Sequence, residues 1–340
     1  MSDIAASTTA PAYAFAPMRE PGPGDVAASA DQPKWGDRIF EYGTAAAAWL
    51  VLIVLAGIAL SMAWGGRLAF ETFGFGFITS SDWDAVGGHF GALVPIYGTL
   101  ASSAIALVIA VPVSIGIALF LTDIAPRWVR GPVGIAIELL AAIPSIIYGM
   151  WGLFVFAPFL SQHVEPWVND HLGQWPLTAA LFSGPPIGIG LLPAGIILGI
   201  MVIPFIAAVA RDVFNAVSPG IREAAVSLGA TRWEMLSRVT LPYTRSAIVG
   251  AIFLGLGRAL GETMAVTFVI GNAHDLNSSL LMPGNSIAAA IANEFTEADT
   301  DLYRSSLIAL ALLLFVVTFI ILTIAKLMLM RIERISGKTN

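Results

Sequence analysis

Residues 191–245 read LLPAGIILGIMVIPFIAAVA and then RDVFNAVSPGIREAAVSLGATRWEMLSRVTLPYTR. The first part, 191–210, carries no charged side chain and matches the roughly 20 helical residues that cross a bilayer core. Lipid offers no partner for backbone N–H and C=O groups, so such a run must be helical. The second part is hydrophilic and reads as two short helices. Ser218 is an N-cap with Pro219 at the first helical position. Ile221, Ala224, Ala225 and Leu228 recur on one helical face. Gly229 supplies a left-handed stop. Thr231, with Glu234 three residues on, forms a capping box that starts the next helix, which Pro242 is expected to end. The product is a helix-turn-helix knuckle with an apolar ridge of Ala224, Ala225 and Leu228.

Working outward, 57% of the 340 residues are hydrophobic and 12% charged, with a mean hydropathy of +0.81. This is more apolar surface than a soluble chain of this length can bury. Six runs are long enough to span: 44–64, 96–121, 133–160, 191–210, 246–271 and 305–330. None shows the short alternation of a barrel strand, so the fold expected is an all-α integral membrane protein of six transmembrane helices. Of the 17 basic residues, all but Arg67, Arg304 and the intramembrane Arg258 fall on one side if the N-terminus is inside. The positive-inside rule therefore places both termini in the cytoplasm.

Residues 1–43, rich in Ala, Pro, Ser and Gly, read as a disordered cytoplasmic tail. Residues 44–330 are the membrane domain, with 212–245 as its cytoplasmic loop, and 331–340 form a C-terminal tail. The start, Met1-Ser2-Asp3, lacks an early basic patch, and the first apolar run comes too late for a secretory leader. With no cysteine, disulfide and thiolate-metal frameworks are excluded. His89, His163, His171 and His274 are scattered through the outer segments and read as solvated loop residues, with no metal site.

The loop motif carries a resemblance. Glu223-Ala224-Ala225, then Gly229, then Val239-Thr240-Leu241-Pro242 resembles the EAA loop of ABC importer permeases, with Val239 in place of the usual Ile. The resemblance implies a type I ABC importer fold and assigns Glu223, Ala224, Ala225, Leu228 and Gly229 to a coupling helix that docks on an ATP-binding subunit. The chain carries no nucleotide motif of its own. Gly337-Lys338-Thr339 looks like the end of a phosphate loop, but Ile332 stands where its first glycine is required. Gly255, Gly257 and Gly261 are spaced one residue off the dinucleotide fingerprint and lie within a span. ATP and magnesium are therefore expected on partner subunits, with no cofactor in this chain.

A charge inside a bilayer costs about 2.5–3.5 kcal/mol on insertion scales, so Arg258, Glu262 and Glu138 should face the bundle interior or a wet cavity, where each is a candidate substrate-binding residue. Arg258 and Glu262, four apart on one expected helix, can pair. Arg258 offers a planar, permanently charged fork to a tetrahedral oxyanion; a structural salt bridge is the competing reading. Pro144 invites a kink, and Ser145 and Tyr148 offer hydroxyls either to a solute or to the carbonyl that the kink frees.

The stretches 257–266 and 138–149 resemble the fifth and third spans of the PstC family of phosphate-specific ABC permeases. That resemblance implies phosphate as cargo, with Arg258 and Glu262 serving it. It also implies a PstA-like second permease, two PstB-like ATP-binding subunits, an extracytoplasmic PstS-like phosphate-binding protein, and a bacterial inner-membrane location. The alternatives are an ABC permease for molybdate, sulfate or an organic solute, and an ion-coupled secondary transporter.

Overall fold

The computed structural model describes residues 35–176 and 178–335. It divides into two units, residues 1–57 and residues 58–340. In the first, the described residues are the amino-terminal part of helix α1 (Trp35–Gly65). Residues 35–43, expected to be tail, are helical. Asp37 in the first turn suits the helix dipole, and Arg38, Glu41 and the alanines after Thr44 are good helix formers. The rest of the expected tail and the Gly337–Thr339 motif lie outside the described residues.

Beyond residue 57 the chain continues as α2 (Arg67–Phe73) and a two-residue hairpin, β1 (Trp83–Asp84) and β2 (His89–Phe90). Next come α3, which runs over Leu93–Leu119 and on through a π turn at Phe120–Ile124, and α4 (Arg127–Ala141). The later helices include α5 (Ser145–His171), α6 (Leu191–Asn215), α7 (Pro219–Ser227), α8 (Arg232–Leu260), α9 (Met264–Thr267), α10 (Ile287–Glu294) and α11 (Asp301–Ile335), and four-residue helical turns also lie at Gly76–Thr79 and Ala179–Phe182. Six of these, α1, α3, α5, α6, α8 and α11, are long and apolar enough to cross a membrane.

Two expected spans are corrected. Residues 133–160 are not one helix: α4 ends at Ala141, Pro144 takes extended backbone (φ −57°, ψ 137°), and α5 starts at Ser145. Proline lacks an N–H and disfavours helical geometry in the residue before it, so a break replaces the expected kink. Residues 246–271 are not one helix either. The helix begins at Arg232 and stops at Leu260, and Gly261 to Thr263 separate it from α9.

Pro242 does not end a helix. It stands in the first turn after a π turn at Leu236–Thr240. Pro158 and Pro166 follow the π turns Gly152–Phe156 and Leu160–Val164 of α5 in the same way. A widened turn relieves the clash between the proline ring and the carbonyl four residues back, so these helices pass through their prolines.

The core sits on α6. Ala194, Ile197, Leu198, Val202 and Ile206 are fully buried in one cluster with Ala106 and Ala110 of α3 and Ala265 and Val269 beyond the α8 break. Small residues set this approach: a Cβ on Gly195 would lie 2.6 Å from Ile105, and one on Gly199 would lie 3.2 Å from the Ala106 carbonyl oxygen. Ser114 donates to the Ile203 carbonyl at 3.0 Å, and the Ile287 amide donates to Thr99 at 2.9 Å.

A second core joins Phe77 and Phe90 to Leu307 and Leu310. Beside it, Glu294 accepts from Trp83 Nε1 (2.8 Å) and the Tyr303 hydroxyl (2.7 Å) and lies 2.7 Å from His274 Nε2. Burial pushes the Glu294 carboxyl up, but its His274, Tyr303 and Trp83 partners outweigh burial and hold it below the usual carboxylate range. His274, expected to be solvated, stacks on Trp83 with ring centroids 5.0 Å apart. A half-buried carboxylate needs donors, and the fold supplies the Trp83 N–H and the Tyr303 hydroxyl, with the His274 ring beside them.

Candidate functional site

The break after α8 positions the first candidate group. Glycines 255, 257 and 261 weaken this stretch of helix, and the chain turns at Gly261, whose N–H bonds to the Gly257 carbonyl at 3.3 Å. Arg258 lies in the last turn of α8, where a cation suits the helix dipole. Its guanidinium is exposed and stands 5.6 Å from the centroid of the Phe205 ring of α6. Glu262 falls beyond the break. Its Oε1 accepts from the Ala265 amide at 3.3 Å, at the start of α9. The two side chains therefore do not share a helix face, and among the described residues Arg258 forms no ion pair. Arg258 keeps its fork free, whereas the Glu262 carboxylate is engaged with backbone.

The start of α5 packs against the same break. A Cβ on Gly149 would lie 2.8 Å from the Met264 carbonyl oxygen and 3.1 Å from Ala265 Cα, so the glycine permits this contact. Tyr148, next to it, lies within electrostatic reach of Arg258, while its hydroxyl donates to the Leu140 carbonyl at 3.0 Å. Of the two roles open to that hydroxyl, the structure shows the capping of α4. Ser145 begins α5 and is partly exposed. Glu138 is directed elsewhere: its Oε1 accepts from Arg211 Nη2 at 2.5 Å, joining α4 to the end of α6. The geometry thus brings Arg258, Glu262 and Tyr148 to one break and leaves Glu138 in a separate ion pair. Irregular backbone at membrane depth is tolerated where it is buried in protein or lines a water-filled cavity.

The knuckle 218–242 is the second candidate. Ser218 occupies the N-cap position of α7, and its side chain makes no capping bond. The other end closes as a Schellman motif: Ala230 N–H bonds to the Ala225 carbonyl (3.2 Å) and Gly229 N–H to the Val226 carbonyl (2.9 Å), with Gly229 at φ +88°. The capping box is present, with Glu234 N–H donating to Thr231 Oγ1 (3.3 Å) and Thr231 N–H to Glu234 Oε2 (3.0 Å). Leu228 is 90% exposed. It borders an open cavity of about 360 Å³ with Ala225, Gly229 and Val239. Ala224 is exposed as well, so the apolar ridge faces solvent.

Gly229→Val is expected to disfavour the left-handed turn by about 1–2 kcal/mol and to rotate the ridge. The melting temperature should then fall. An unchanged melting temperature would count against a left-handed turn that only glycine accommodates here.

Arg222 and Asp123 were not singled out by their sequence context. Arg222 Nη1 bonds to Asp123 Oδ1 at 2.5 Å, with side chains only 19% and 9% exposed. Nη2 donates to the Phe214 carbonyl, and Thr122 supports Asp123 at 2.9 Å. The arginine thereby ties α7 to the π turn of α3 and the end of α6. The partners are 99 residues apart, so no local pattern announces them; the only hint is a lone aspartate closing an apolar run. Among the described residues no group of three or more His, Asp or Glu side chains converges as a metal site would.

Residues 110–334 match the family described as binding-protein-dependent transport system inner membrane component. The chain is 57% identical over 301 residues to the phosphate transport system permease protein PstC of Xylella fastidiosa strain 9a5c, covering 88% of this chain and 93% of that one. It is 38% identical over 259 residues to the probable phosphate transport system permease protein PstC of Methanocaldococcus jannaschii, covering 74% and 81%. Among solved structures, a chain of a bacterial alginate ABC transporter in complex with a pentasaccharide-bound periplasmic protein superposes with a TM-score of 0.56 at 20% identity. That match covers 91% of this chain and all of that one, and it shows likeness of fold.

Proposed function

The chain belongs to the family of binding-protein-dependent transport system inner membrane components, and we infer that it is the permease subunit of an ABC importer for inorganic phosphate. One observation carries the cargo: 57% identity across 88% of the chain to a phosphate transport system permease. The free guanidinium of Arg258 beside a broken membrane helix supports it, because a planar, permanently charged fork suits a phosphate oxyanion.

In this reading Arg258 contacts phosphate during passage, Glu262 holds the α8–α9 break in shape, and Tyr148 fixes the facing end of α4. Ser145 lies close enough in sequence to contribute a hydroxyl. Glu138 serves as the counter-ion of Arg211 and does not contact cargo. The Glu223–Gly229 segment is the coupling helix, with Leu228 as its exposed anchor. Hydrolysis of ATP falls to two PstB-like subunits that bind ATP and magnesium. A PstA-like permease completes the pathway, and a PstS-like binding protein delivers phosphate on the far side of a bacterial inner membrane. Closure of the ATP-binding subunits moves the knuckle and alternates access to the site near Arg258.

The test is ATP-driven uptake of radiolabelled phosphate into vesicles carrying this chain and its partners, with sulfate and molybdate as competitors. Uptake that needs ATP and resists both competitors supports the reading. Uptake of sulfate or molybdate in preference, or uptake driven by an ion gradient without ATP, would sink it.

A further inference from the structure

The last turn of α1, helix α2 and the first turns of α11 enclose an open cavity of about 310 Å³. Its wall is apolar, from Trp64, Leu68 and Ile308, and its rim carries Arg67, Glu71, Asp301 and Arg304. The floor is fixed by side-chain and backbone contacts. Ser305 donates to the Gly65 carbonyl at 2.8 Å and accepts from the Ala69 amide at 3.2 Å. A Cβ on Gly66 would lie 3.0 Å from Ala309 Cα.

Arg67 is held with its guanidinium 4.7 Å from the Trp64 ring centroid, and Arg304 lies 4.0 Å from Asp301. Both α1 and α11 are membrane-crossing helices, so their ends lie at headgroup depth, where tryptophan is enriched. These two arginines are also the basic residues that the positive-inside rule leaves on the exterior. The rim carries two positive and two negative groups, so it is neutral overall yet presents both signs.

We propose that this cavity binds a phospholipid headgroup of the phosphoethanolamine type. The phosphodiester lies against Arg67 and Arg304, whose guanidinium groups suit phosphate oxygens, and the primary ammonium donates to Glu71 and Asp301. The first acyl carbons pack on Trp64, Leu68 and Ile308. A choline headgroup has no N–H to donate to the carboxylates, and a glycerol headgroup has no cation to place beside them.

Native mass spectrometry of the complete transporter, loaded with phosphatidylethanolamine, phosphatidylcholine or phosphatidylglycerol of identical chains, tests the proposal. Phosphatidylethanolamine should be retained roughly threefold over either competitor, the scale that two solvent-accessible ion pairs supply. Arg67→Ala with Arg304→Ala should abolish that preference. Glu71→Gln with Asp301→Asn should reverse it toward phosphatidylglycerol, a gain that misfolding cannot produce. Equal retention of all three lipids by the wild type, or no reversal in the carboxamide variant, overturns the proposal. So does displacement of bound lipid by inorganic phosphate together with a raised KM for uptake in the double arginine variant, which would assign the site to cargo.

Discussion

Replacing Arg258 by alanine is expected to cut ATP-driven phosphate uptake roughly 10- to 100-fold, because a hydrogen bond to a charged group contributes about 1.5–3 kcal/mol. Assembly should survive. Arg258 is exposed, among the described residues it holds no carboxylate in place, and its guanidinium stands over the Phe205 ring. Arg258→Lys should recover part of the rate, since an ammonium keeps the charge but loses the planar fork. Co-purification of the partner subunits checks assembly, and radiolabelled uptake checks transport. Wild-type uptake in the alanine variant would remove Arg258 from the pathway. Loss of uptake together with loss of the complex would make the residue structural. Glu262→Gln should have the smaller effect, because its Ala265 contact is a hydrogen bond that the amide oxygen can also accept.

The second large effect is expected at Arg222. Alanine there strands Asp123, a carboxylate only 9% exposed, and breaking a buried pair by removing one partner costs about 3 kcal/mol or more. Melting temperature should fall, and phosphate uptake should fall with it, because α7 loses its tie to α3 and α6. The double variant Arg222→Gln with Asp123→Asn separates the two consequences. Removing both charges spares the penalty of an unpaired ion, so melting temperature should recover while uptake stays low and ATP hydrolysis continues. If uptake recovers in step with stability, the pair is a fastening and takes no part in coupling.

Much of the fold was legible because its signals are local. Apolar runs of span length lie in continuous sequence, and the Thr231–Glu234 capping box and the left-handed Gly229 each depend on residues within about one helical turn; six helices of spanning length, the capping box and the positive φ at Gly229 are all present. The misread breaks within spans all involve proline or glycine. Pro144 breaks a helix, Pro242 does not, and Gly261 ends one early. A proline in a helical pattern can break the helix, as at Pro144, follow a π turn, as at Pro242, or sit inside a continuous helix, as at Pro112 and Pro204, and neighbouring helices decide which of these satisfies the backbone.

The candidate site follows the same division. Sequence alone settles that Arg258 is a cation in a membrane span and that Leu228 caps an apolar ridge, because each rests on residue type and on spacing along one segment. Packing decided that Glu262 turns to backbone, that Glu138 answers Arg211, that His274 stacks on Trp83 and that Arg222 reaches Asp123. Three of those contacts join groups far apart in the chain, and the fourth depends on where a helix breaks. A buried charge takes whichever partner the tertiary fold brings within reach.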